Sequence, residues 1–136
     1  MGAIQQSINN ALAATAVAGR MIGHQKESDI AAGERAAKDL PDLQEQEEAI
    51  GKELTPAYQQ IVDREKDFKD AKTMLKGANT TRDKVAGMQL AREAKNDLTM
   101  AKEAFKRLIE KQTAITATRQ RAEAQIAKGR KWGGSY

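Results

Sequence analysis

LKGANTTRDK, residues 75–84, is the stretch whose reading decides the fold. Gly77 suits a helix C-terminus, because a residue without Cβ takes the left-handed conformation that closes many helices. Thr80 or Thr81 offers a hydroxyl to cap a following helix, and Asp83 sets a negative charge in its first turn. Helical patterning runs away from this break in both directions. Upstream, Leu40, Leu43, Ile50, Leu54, Ala57, Ile61, Phe68, Ala71 and Leu75 follow one alternating three-four stripe, with Glu47 and Arg64 as polar interruptions. Downstream, Ala91, Ala94, Leu98, Ala101, Phe105, Leu108, Ile115, Ala122 and Ile126 continue such a stripe, with Gln112 and Arg119 as its polar members. Only Gly87 interrupts residues 82–128, which as one helix would span about 70 Å. Folding about residues 77–80 sets Phe68 near Leu90, Leu54 near Phe105 and Leu43 near Ile115. The expected fold is all-α, an elongated, coiled-coil-like antiparallel helical hairpin.

Composition agrees. Of 136 residues, 24 are Ala, while Leu, Ile, Val and Phe together supply 22. That is little large apolar volume for a compact core. Burying a large aliphatic side chain is worth roughly 1.5–3 kcal/mol, and Ala far less. A hairpin with this seam is marginal alone, so oligomerisation or docking into a larger assembly is expected. Met74, Met88 and Met100 read as gap-filling residues in or near the core. Glu34 with Lys38, Glu48 with Lys52, and Glu65 with Lys69 are favourable i,i+4 pairs on exposed helix.

Two prolines and a polar stretch suggest further punctuation. Residues 25–28 read as a hinge, with Ser28 or Asp29 capping a short helix that Pro41 ends. Thr55 and Pro56 fall inside the stripe, which continues in phase, so a kink in one long helix is expected there. The resulting organisation is a small-residue helix over residues 1–27, the hairpin over 28–128 with its turn near 77–81, and a basic, aromatic tail over 129–136.

Charge is unevenly spread. Residues 31–70 carry 6 basic and 11 acidic side chains, a net of −5, and residues 71–136 carry 15 and 6, a net of +9. In a hairpin the acidic arm complements the basic one and lowers self-repulsion. The surplus positive charge gathers toward the C-terminus. There Lys128, Arg130 and Lys131 precede Trp132, and Tyr136 follows. Basic residues interleaved with an aromatic hold phosphates and stack bases, which makes these four candidate nucleic-acid contacts. They suit equally the seating of Trp132 in a groove of a protein partner, or an unstructured tail that ends a helix.

The N-terminal segment carries a second pattern. Ala11, Thr15, Gly19 and Gly23 recur every four residues, a ladder of small side chains that lets helix backbones approach closely. Packing against a neighbouring helix is preferred over a membrane face, and the segment lacks the basic flank of a secretory signal. No window of 18 uninterrupted apolar residues suggests a membrane-spanning helix.

Catalytic chemistry has no foothold in the pattern. There is no Cys, the single histidine is His24, and the acidic run of Glu45, Glu47 and Glu48 matches no metal-site spacing. No phosphate-binding glycine loop and no nucleophile-base arrangement occurs. The chain is expected to be non-enzymatic, with no cofactor, no metal and no small-molecule substrate.

MGAIQQSINNALAATAVAGRMIG, residues 1–23, resembles the N-termini of small helical virion proteins of tailed and related phages. These are the ejection, internal cargo and DNA-pilot proteins, in which a small-residue helix precedes long helices rich in Gln, Ala, Lys and Glu. The resemblance implies a multi-copy structural component of a virion, assembled in the host cytoplasm. Its implied partners are itself and other virion proteins, with DNA, and a membrane during delivery, as further candidates. Trp132-Gly133-Gly134 is also similar to the Trp-x-Gly of secreted WXG-type hairpins. In that family the motif occupies the turn between the helices, whereas here it lies past the second helix, which largely removes the match.

Overall fold

A computed structural model describes the backbone of residues 2–136 and the side chains of residues 22–136. Two helices account for nearly all of it: α1, Gly2–Gly77, and α2, Thr81–Lys131. They pack against each other as an antiparallel hairpin, and the described residues include no strand.

The turn is built as its residues suggest, with one difference. Thr80 is the cap: its Oγ1 accepts the Asp83 N–H at 3.1 Å, and its carbonyl accepts the Lys84 N–H at 2.9 Å. Gly77 ends α1 as a helical residue without a positive φ, so the left-handed closure expected of it is not used. The Ala78 N–H instead reaches the Leu75 carbonyl at 3.2 Å, a tightened last turn.

Both stripes are buried as read. Every apolar member named above is buried or half-buried on its helix, and the polar positions Glu47, Arg64, Gln112 and Arg119 are half-buried in register. The period of the stripe, set by 3.6 residues per turn, identifies the seam.

Three local expectations are corrected. No hinge occurs at residues 25–28, and Pro41 does not end a helix; α1 runs through both, and through Pro56 as well. The helix over residues 1–27 is therefore the first part of α1. At 25–28, the Gln25 amide donates to Asp29 Oδ1 at 3.0 Å, an i,i+4 bond within the helix, so Asp29 is not a cap. An interior proline costs about 3 kcal/mol or more. Pro41 and Pro56 are both exposed, and the packed stripe on either side holds the helix together. The third correction concerns the methionines: Met74, Met88 and Met100 are 63%, 53% and 67% exposed and belong to the surface. Leu90, expected against Phe68, is exposed too. The Phe68 face carries Lys72 Nζ, 4.1 Å from the ring centroid.

Contacts divide the chain into two units. The terminal unit comprises residues 1–43 and 118–136, and the turn-side unit residues 44–117. The terminal unit has a core of Ala36, Ala122 and Ile126, backed by Ala37, Leu40, Leu43 and Tyr136. The turn-side unit buries Ala71 and Leu98. Its Phe105 ring meets Tyr58 at 5.9 Å between centroids and 56° between planes, one helical turn from the expected Leu54. Gly87 is explained here: a Cβ on it would lie 3.1 Å from Leu75 Cδ1, so its absence lets the helices close beside the turn. Among the described residues no large side chain is fully buried.

Candidate functional site

The most closely specified feature is where the C-terminal residues meet α1 in the terminal unit. Helix α2 ends in a Schellman closure. The Gly134 N–H bonds the Gly129 carbonyl at 3.0 Å and the Gly133 N–H bonds the Arg130 carbonyl at 3.0 Å. Gly133 carries the positive φ, +100°, that this turn demands and that a side chain would strain. The turn sends the last residues back over the hairpin.

Two aromatic side chains are then seated. Trp132, half-buried, donates its indole Nε1–H to Asp29 Oδ2 at 2.9 Å. With Gln25 on the other oxygen, the carboxylate of Asp29, only 8% exposed, has a donor on each side. A buried carboxylate requires such partners. Tyr136 lies in a socket of three glycines. A Cβ on Gly33 or Gly129 would overlap its hydroxyl, and a Cβ on Gly134 would meet its ring. The same added atoms would lie 2.9 Å from the Gln125 and Asp29 backbone oxygens respectively, so the backbones of α1 and α2 are also close here. The Tyr136 carbonyl accepts from Arg130 Nε at 2.8 Å, and its buried hydroxyl has no hydrogen-bond partner.

Of the four candidate contacts in this region, the structure joins Trp132 to Asp29 and Arg130 to Tyr136, and leaves Lys128 and Lys131 exposed. The segment is folded onto the hairpin rather than unstructured. Of the ladder, the side chains of Ala11, Thr15 and Gly19 lie outside the described residues. At Gly23 an added Cβ would meet nothing within 4 Å, so no close approach occurs there among the described residues. Sequence reading missed Asp29 as an acceptor, Gly33 and Gly129 as a socket, and Tyr136 as its occupant. The available signal was register: folding about residues 77–80 already places Gly129 level with Asp29.

A second feature lies in the turn-side unit. A groove of about 400 Å³ is lined by the seam residues Ala57 and Ala101, the exposed Ala104 and Met100, and Gln60, Arg64 and Asp97. In the terminal unit a groove of about 460 Å³ is lined by Ala32, Ala36, Ala122 and Leu43, with Arg35, Asp39 and Arg121 at its edge. Both are open troughs. Neither brings together a nucleophile and a base. Among the described residues no three His, Cys, Asp or Glu side chains group to hold a metal ion, and no helix is long and apolar enough to cross a membrane.

Fold and site together define an all-α helical hairpin whose C-terminal residues lock one end of the helix pair. No family model, curated protein or solved structure matches the chain.

Proposed function

We propose that this chain is a non-enzymatic structural protein that acts by helical assembly, with copies of itself or with other proteins of a phage virion. The observation that carries the assembly reading is the state of the core. No large side chain among the described residues is fully buried, while Tyr58, Val62, Met74, Val85, Met88, Leu90, Met100 and Ile109 all stand exposed in the turn-side unit. Eight large apolar side chains exposed in one unit support the reading of an interaction surface there. The virion setting, internal, ejection or tail- and portal-associated, rests on the resemblance of residues 1–23.

Sedimentation equilibrium over a concentration series, with circular dichroism on the same samples, tests assembly. Helicity that rises with association supports it, and a fully helical monomer with a cooperative melt overturns it. Recovery of the chain from purified phage particles tests the virion setting.

A second reading, nucleic-acid contact by the basic end of α2, is favoured by the exposure of Lys128 and Lys131 in its last turn. It requires DNA affinity that falls steeply with salt.

A further inference from the structure

We infer that the groove of the turn-side unit docks a second copy of this chain about a two-fold axis. Met100 of each copy enters the alanine hollow of the other, and Arg64 of each faces the partner's Asp97. This rests on the assembly reading above and names its partner and its surface.

The shape argument begins with alanine. Ala57 and Ala101, at seam positions, and the exposed Ala104 line a trough of about 400 Å³. Beside the trough stands Met100, 67% exposed, a knob next to a hole. An unbranched, polarisable thioether adapts to an irregular hollow better than a branched side chain does. A two-fold axis supplies one knob for each hole, because in an isologous interface residue i meets j wherever j meets i.

Charge then selects the occupant. The groove carries one cation, Arg64, which on its own helix also pairs with Asp67 at 3.5 Å, and one anion, Asp97. A nucleic acid would call for cations alone, whereas a rim with one charge of each sign is complementary to itself under a two-fold rotation. The long-range pattern agrees. Within the turn-side unit, residues 44–77 carry 6 basic and 8 acidic side chains, a net of −2, and residues 78–117 carry 8 and 5, a net of +3, so a second copy set with its acidic segment against this basic one lowers repulsion on both sides. A copy set acid to acid is disfavoured by the same charges.

The test is sedimentation equilibrium of the full chain and its variants. Wild type should associate, and M100K should raise its dissociation constant by roughly tenfold or more. M74K, an equally exposed methionine outside the groove, serves as the control and should leave association unchanged. R64E and D97K should each weaken association, and the double variant should recover most of the loss, because the swapped pair is again complementary. A wild-type chain that stays monomeric overturns the assembly reading and this proposal with it. Association in the wild type that M100K and R64E leave untouched, or that M74K weakens as much as M100K, overturns the groove alone and leaves the assembly reading standing.

Discussion

The two units of the hairpin are made from the same two helices and the same alanine-rich seam, yet they finish differently. In the terminal unit, Asp29, Ala36, Ala122 and Ile126 all fall below a tenth exposed. A turn of three glycine-spaced hydrogen bonds, an indole and a phenol supply there what the alanines lack. In the turn-side unit nothing plays that part. Eight large apolar side chains are exposed, against Ile22 alone among the described residues of the terminal unit. The difference teaches that a two-helix seam built on alanine needs a third element. One end carries its own in Trp132 and Tyr136; at the other, large apolar side chains stay exposed, and only the proposed assembly would cover them.

The hardest blow to this comparison falls at Gly129. In G129A the new Cβ would overlap the Tyr136 hydroxyl and lie 2.9 Å from the Asp29 backbone oxygen. The phenol can swing out of the socket, but the α1 backbone gives way less easily. Alanine gains up to about 1 kcal/mol in helix propensity over glycine. Overpacking and the loss of the seated ring cost roughly 1–3 kcal/mol, more than that gain. The expected outcome is a net loss of about 1–2 kcal/mol in urea unfolding, with a shift in the emission of Trp132, the only tryptophan. Unchanged stability and unchanged emission would mean that the socket does not close the terminal unit, and the contrast between the units would fail.

W132F sharpens the same point through a single bond. Phenylalanine keeps an aromatic ring on the surface of α1 but removes the donor to Asp29 Oδ2. Gln25 still serves the other oxygen, so the carboxylate is not stripped. A bond to a charged group is worth about 1.5–3 kcal/mol, and the donor that stays keeps this loss near the lower figure. The melt followed by circular dichroism should drop accordingly. A drop larger than that of G129A would shift the weight of the lock from the Tyr136 socket to the indole bond.

These effects also show what sequence reading reaches and what it does not. Both seams were legible, down to Glu47, Arg64, Gln112 and Arg119 as half-buried polar members, because helix geometry alone dictates the spacing. Pro41 was misread because the packed stripe continues in phase on either side and carries the helix through the local cost, with the exposed ring facing solvent. The methionines were misread because their flexibility suits a core gap and an exposed face equally. The socket stayed hidden for a different reason. Its parts, Gly33 on one side and Gly129, Gly134 and Tyr136 on the other, come from two stretches far apart in the chain, and a single glycine in a helical pattern has no fixed meaning until the register is known. The candidate residues Lys128, Arg130, Lys131 and Trp132 were located by charge and aromaticity. That Trp132 turns inward to an acid of its own chain depends on the glycine turn after it.

Gly51 provides the smallest effect and the cleanest control, since the same substitution should change sign between the units. It lies within α1 in the turn-side unit, and an added Cβ would meet nothing within 4 Å. G51A therefore removes backbone freedom from the unfolded chain without a clash in the folded one, and should stabilise by about 0.5–1 kcal/mol. Measured below the concentration of association, a gain for G51A beside a loss for G129A would show that glycine marks a close approach in one unit and none in the other. The gain should vanish at high concentration only if a partner backbone comes close to Gly51, because the new methyl group would then obstruct the interface. Two melts of one variant thus separate a glycine that the hairpin merely tolerates from one that an assembly requires.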